Sequence, residues 1–148
     1  HFVGTDGPPS YRSTLNGIIN HAGMRDHVTF HGSVSQEQLV SHYMAADVFC
    51  CLSDHEGFCV PVIEAMKHDL PVIAFSCTAV AETVGNGGLL LTEKSPLLVA
   101  SAIHRVSNDD ALAQRLRQAG RQRAKNFDSE TTQEKFRRQI SNLILESL

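Results

Sequence analysis

The sequence predicts a doubly wound α/β unit, in which a parallel sheet carries helices on both faces and ends in helices alone. Three observations predict it. Short apolar runs alternate with helical periodicity from Phe2 to about Val106, as parallel strands joined by crossover helices require. Polar, glycine-bearing loops follow the strands instead of preceding them. From Asn108 onward only helical spacing remains.

Phe2-Val3 is a strand remnant that runs into the turn Gly4-Thr5-Asp6-Gly7-Pro8-Pro9, with Asp6 placed to cap it. Leu15, Ile18, Ile19 and Ala22 share one helical face, and Gly23 suits the C-terminal cap. Val28 to Phe30 reads as a second short strand, stopped by His31-Gly32. Ser35-Gln36-Glu37-Gln38 fits a capping box, which opens a helix from Ser35 to Ala45. Val48 to Leu52 is apolar on both faces, the pattern of a central parallel strand. A glycine turn follows, and Pro61 suits the first turn of a helix ending near His68. Pro71 to Phe75 is the next strand, Thr78 to Val84 a short helix, Gly85 to Gly88 a turn and Leu89 to Leu91 the last strand. Ser95-Pro96 caps and opens a helix to about Val106. The tail breaks near Asn126-Phe127-Asp128, with Leu112, Leu116 and Ala119 forming one stripe and Phe136, Ile140 and Leu143 another.

At 148 residues the chain has the length of one domain, enough to bury roughly two thirds of its unfolded surface. A net charge of −3 argues against a nucleic-acid footprint, which needs a basic face. Arg115, Arg117, Arg121, Arg123 and Lys125 spread around a predicted helix and read as a solvated face. Cys50, Cys51, Cys59 and Cys77 lack Cys-x-x-Cys spacing, and His21, His27, His42, His68 and His104 lack ligand spacing, so no metal is expected. No apolar run reaches the ~20 residues that span a bilayer, and the first residues do not resemble a signal peptide, so the cytoplasm is the expected compartment.

The richest stretch is Asp54 to Met66, which holds Glu56 and Glu64 with seven residues between them. The segment is a strand-to-helix corner, where free amides and the positive end of a helix dipole suit phosphate. Glu64 leans back toward that end, and a carboxylate there matches the vicinal hydroxyls of a ribose. Glu56, on the loop, reaches a second polyol group. A diphosphate between two hydroxyl-rich groups describes a nucleotide-activated sugar. Gly4, Gly7, Gly32 and Gly57 are placed where backbone amides could approach it. Set against this, two carboxylates at a helix start could be solvated and worth only ~0.5 kcal/mol each, and His31, His55 and Glu82 could be ordinary surface residues.

Glu56-Gly57-Phe58-Cys59-Val60-Pro61-Val62-Ile63-Glu64-Ala65-Met66 resembles the glutamate, seven residues, glutamate motif of the retaining glycosyltransferases of family 4. Val3-Gly4-Thr5-Asp6-Gly7, Val28-Thr29-Phe30-His31-Gly32-Ser33-Val34, Ala45-Ala46-Asp47-Val48, Leu70-Pro71-Val72-Ile73-Ala74 and Ala81-Glu82-Thr83-Val84 match further family segments in order. The resemblance implies the second half of a GT-B fold: one Rossmann-like donor-binding domain over residues 1–148, with the acceptor domain and the family's basic diphosphate ligands on preceding sequence. It implies that Glu64 binds ribose hydroxyls and that Glu56 stands at the catalytic centre against the donor sugar, without being named a nucleophile. The amides of Gly57, Phe58, Cys59 and Val60 would hold diphosphate or sugar, with Gly4 and Gly7 nearby. His31, Gly32, Ser33 and Val34 would line the base. Cys59 departs from the family, which has glycine there.

The implied reaction transfers a hexose from a UDP-, GDP- or ADP-linked sugar to a glycan or lipid-linked acceptor in polysaccharide or lipopolysaccharide synthesis, with retention and no cofactor beyond the donor. Alone the chain is expected to bind nucleotide without turnover. The full-length protein leaves room for peripheral contact with the inner face of the membrane. Rival readings are an inactive nucleotide-sugar-binding or assembly module, a GT-B epimerase and a phosphorylase.

Overall fold

Order along the chain follows the expected alternation, with most strands shorter than their apolar runs and the last, Leu89–Leu91, as expected. The computed structural model describes residues 1–5 and 7–146, with side chains through residue 144; Asp6, expected to cap the first turn, lies outside the described residues. The chain divides into two compact units, His1–His42 and Tyr43–Leu148.

In the first unit the two expected strands reduce to a single parallel bridge between Phe2 and Phe30. It is held by the Phe2 N–H donating to Thr29 O and the His31 N–H donating to Phe2 O, each at 2.8 Å. Turn residues crowd both runs, leaving no length for a ladder. Helix α1 (Pro9–His21) carries proline in its first turn and passes into Gly23 at φ +65°, as its sequence predicts. A 3-10 turn, Arg25–His27, leads to the bridge. Helix α2 (Gln36–Ala45) forms behind the predicted capping box. The Ser35 N–H donates to Gln38 Oε1 at 2.9 Å and the Gln38 N–H to Ser35 Oγ at 3.3 Å.

The second unit holds a parallel sheet of β1 (Phe49–Cys51), β2 (Val72–Phe75) and β3 (Leu89–Leu91), in that order. Cys50 lies opposite Ile73, and Ala74 opposite Leu90. The central strand is therefore β2, where Val72, Ile73 and Ala74 are buried, whereas Cys50 of β1 is exposed. An all-apolar run signals a capacity for burial and not a place in the sheet. Helix α3 (Val60–Lys67) connects β1 to β2, and α4 (Val80–Val84) connects β2 to β3. Then come α5 (Pro96–Asn108), α6 (Asp110–Lys125) and α7 (Ser129–Glu146). Side chains cap two of them: Ser95 Oγ accepts from the Leu98 N–H at 3.3 Å, and Asp109 Oδ1 from the Leu112 N–H at 2.9 Å.

One core cluster joins Ile73, Leu91, Val99, Ala102 and Val106, with Leu112 and Leu116 of the predicted α6 stripe against it. Val62, Ile63, Ala65 and Met66 of α3 are buried as well. Here α6 comes close: a Cβ on Gly120 would lie 3.1 Å from Met66 Cγ, and one on Gly87 only 2.6 Å from Arg123 Cβ. The second predicted stripe is different, since Phe136, Ile140 and Leu143 of α7 are 63%, 41% and 60% exposed. Among the described residues no helix is long and apolar enough to cross a membrane.

Candidate donor site

Parallel strands deliver their following loops to one rim, and in the second unit three such loops are stitched together. The Cys77 thiol, after β2, donates to Ser53 O, after β1, at 2.9 Å. Lys94, after β3, donates to Leu52 O at 3.3 Å and pairs with Asp54. Thr78 holds the backbone of Glu56 from both sides. The Glu56 N–H donates to Thr78 Oγ1 at 3.0 Å, and that hydroxyl donates to Glu56 O at 2.8 Å. The half-buried Glu56 side chain is thus carried on a fixed piece of loop.

Glu64 stands at the fifth residue of α3, about one turn from its start, as the sequence predicts. Its Oε2 accepts the Tyr43 hydroxyl at 3.0 Å. Tyr43 is buried, stacked on His68 with ring centroids 5.5 Å apart. Burial, then the bond to Glu64, raises the Tyr43 pKa, so the phenol stays a donor and fixes one carboxylate oxygen. The other oxygen has no such constraint on it from Tyr43, so Glu64 can accept from a ligand while held.

Between the two carboxylates the loop is supported from below. Buried Thr83 donates its hydroxyl to Phe58 O at 2.6 Å. Arg123 in turn donates Nε–H to Thr83 O at 3.0 Å and a terminal N–H to Glu82 O, with its guanidinium 4.9 Å from the Phe127 ring centre. Phe127 meets Phe58 edge-on at 5.2 Å. Arg123 is therefore not part of a solvated basic face. It braces the loop, whereas Arg121 pairs on the surface with Asp69 at 2.8 Å.

The special backbone position in this loop is Cys59, at φ +64° and ψ +63°, immediately before α3. Gly57 needs no such conformation, and a Cβ there would touch nothing. The glycine expected at position 59 would adopt the left-handed geometry freely, whereas the cysteine is held in it. Cys59 is buried, with Sγ 3.6 Å from Cys51 Sγ. Burial first, then the contact with Cys51, pushes its pKa up to about 12, so the thiol packs and is not a ready nucleophile.

In the first unit, Gly4 (φ +136°) and Gly32 (φ +65°) are both left-handed, and the Gly4 N–H donates to Gly32 O at 3.0 Å. The Gly4 turn and the His31 to Val34 loop are thereby neighbours. A Cβ on Gly7 would lie 3.3 Å from the Tyr11 ring. His31 is in hydrogen-bond contact with His1; Ser33 is exposed and Val34 half-buried.

Tyr43, Thr78, Thr83, Lys94 and Arg123 escape a reading of the sequence. Each acts on backbone or on a residue far along the chain, and none has a distinctive spacing.

The family described as Glycosyl transferases group 1 matches residues 1–123. A GDP-mannose-dependent alpha-(1-6)-phosphatidylinositol monomannoside mannosyltransferase of Mycobacterium tuberculosis is 34% identical over 121 residues, covering 76% of this chain and 31% of that protein. O-antigen chain mannosyltransferase B of Escherichia coli is 32% identical over 108 residues, covering 72% of this chain and 28% of that protein. The chain thus spans about a third or less of the length of these relatives. Among solved structures, Anabaena HepE in complex with UDP and glucose superposes with a TM-score of 0.81 at 26% identity, over 95% of this chain and 39% of that one. Sucrose-phosphate synthase from Thermosynechococcus elongatus gives a TM-score of 0.78 at 29% identity, over 97% of this chain and 38% of that one. These likenesses carry the fold, a Rossmann-like α/β unit of the GT-B kind. With most of its length matched by the family and its strand-to-helix corner built around Glu56 and Glu64, the chain belongs to the glycosyl transferases group 1 family.

Proposed function

We propose that the chain is the donor-side domain of a retaining hexosyltransferase. It holds a nucleoside-diphosphate sugar whose hexose passes to a glycan or lipid-linked acceptor bound by sequence outside these residues. The observation that carries this reading is Glu64, one turn into α3 and oriented by Tyr43 at 3.0 Å. A carboxylate so placed accepts from both hydroxyls of a ribose while the preceding amides face a diphosphate. Glu56 then meets the hydroxyls of the donor sugar. The amides of residues 57 to 60, at the positive end of the α3 dipole, stabilise the charge that grows on the departing diphosphate. The donor is itself a substrate, and no further cofactor enters the reading. GDP-mannose is the first donor to test, because the Mycobacterium tuberculosis relative is named for it; UDP is the second, because HepE was solved with it. The expected place of work is the cytoplasm, with room for peripheral contact at the inner face of the membrane in the full-length protein.

Calorimetric titration of the chain with GDP, UDP and ADP tests the site. One nucleotide should bind best, and Glu64→Ala should weaken it by about 1–3 kcal/mol. Unchanged affinity in the variant would remove Glu64 from the ribose. Retention is read from the anomeric configuration of the product made by the full-length protein; an inverted product would overturn it.

A further inference from the structure

Three histidines that are distant in sequence converge in the first unit. His1 Nδ1 and His31 Nε2 are 2.8 Å apart, and one nitrogen from each of His1, His31 and His42 lies within 4.8 Å of the others. Ring centroids are 5.1 Å apart for His1 and His31, 4.2 Å for His31 and His42, and 6.1 Å for His1 and His42. We propose that His1, His31 and His42 form a binding site for a divalent first-row transition metal, with Zn(II) as the expected ion.

Three imidazoles without a carboxylate suit borderline metals such as zinc, nickel or copper and not calcium or magnesium, which demand oxygen. Zinc bonds nitrogen at ~2.0–2.1 Å in a tetrahedron, which sets ligand nitrogens roughly 3.4 Å apart. The His1 and His31 nitrogens at 2.8 Å are a little closer than that and all three lie within 4.8 Å of one another, so an ion could enter after side-chain adjustments of about an ångström. Two rings are half-buried and His1 is exposed, leaving a face for a fourth ligand such as water.

The ligands also have separate anchors. The parallel bridge of Phe2 with Phe30, through the His31 N–H to Phe2 O bond at 2.8 Å, sets residues 1 and 31 side by side. His42 comes from the last turn of α2, where the negative end of the helix dipole favours a cation. An ion would cross-link these segments; the nucleotide reading assigns no metal, and the two share His31, which that reading sets beside the base. The spacings of 30 and 11 residues contain no recognisable ligand motif, so the site emerges only on folding.

The test uses the 148-residue chain with its amino group acetylated, so that an amine chelate with His1 cannot contribute. Titration calorimetry with Zn(II) should give one equivalent, and His31→Ala and His42→Ala should each weaken it more than 10-fold, the loss that removing even an outer partner of a ligand can cause. X-ray absorption of the zinc complex of the unmutated chain counts imidazoles without any variant. Three support the site, and two or fewer overturn it. Zinc binding that survives in the His31→Ala, His42→Ala double variant, or that requires the free amino group, overturns it as well.

Discussion

A carboxylate that serves a ligand must be oriented without being neutralised. Tyr43 meets both demands for Glu64, because a phenol supplies one hydrogen bond and no positive charge. Tyr43→Phe should keep the buried ring and its stacking on His68 while freeing the carboxylate. We expect nucleotide affinity to fall by about 0.5–1.5 kcal/mol, the ordinary worth of one such bond, with thermal stability little changed. If calorimetry shows no loss of affinity in a folded variant, Tyr43 does not orient Glu64 for binding. At Cys59 the same scale governs pH. Burial raises its pKa from 9.0 to about 12, so the native state keeps a proton that the unfolded chain releases near pH 9. The associated stability is full below pH 9 and is lost as pH rises through about 12. Denaturant unfolding across that range should show a steeper fall for the unmutated chain than for Cys59→Ala, and parallel curves would show that Cys59 contributes none of it.

At the element scale, helix α3 begins on a left-handed residue that has a side chain. The conformation costs an L-residue about 1–2 kcal/mol relative to the right-handed region; glycine avoids that cost but loses part of the gain to its freer unfolded state. Cys59→Gly should therefore be more stable than Cys59→Ala by about 1 kcal/mol, measured by chemical denaturation, since both lose the thiol and only alanine keeps the strain. Equal stabilities would mean that the helix start has relaxed away from φ +64°. The start of α3 is also where the sequence was most legible. Pro61 fixes its own φ and the flanking apolar runs carry the local periodicity, so together with the glycine turn they predict strand, corner and helix in order. The capping box of α2 and the cap at Ser95 were legible for the same reason. What local pattern could not reveal was pairing between distant positions. The edge place of β1, the bridge in place of two strands, the bracing by Arg123 and the hold of Thr78 on Glu56 all depend on partners 20 or more residues away.

Across the whole molecule, burial is concentrated in one of the two units. Val62, Met66, Val72 and Ile73 are fully enclosed in the second, whereas no described residue of 1–42 is buried, and Ile18 on α1 is 60% exposed. Opening free energies follow the apolar surface a segment must expose, so such a distribution should separate local from global unfolding. Hydrogen exchange read by mass spectrometry should show amides of α1 exchanging far faster than those of β2 and α3, at a denaturant concentration well below the global midpoint. The difference has a mechanistic use. A nucleotide that engages Glu64 and the residue 57 to 60 amides should add protection at the start of α3, whereas zinc at His1, His31 and His42 should slow exchange in α2 and around the Phe2 and Phe30 bridge. The two ligands would thus be told apart by the segments they protect. Equal protection of α1 and β2 in the free chain would refute the unequal distribution of stability, and zinc-induced protection confined to α3 would count against the histidine site.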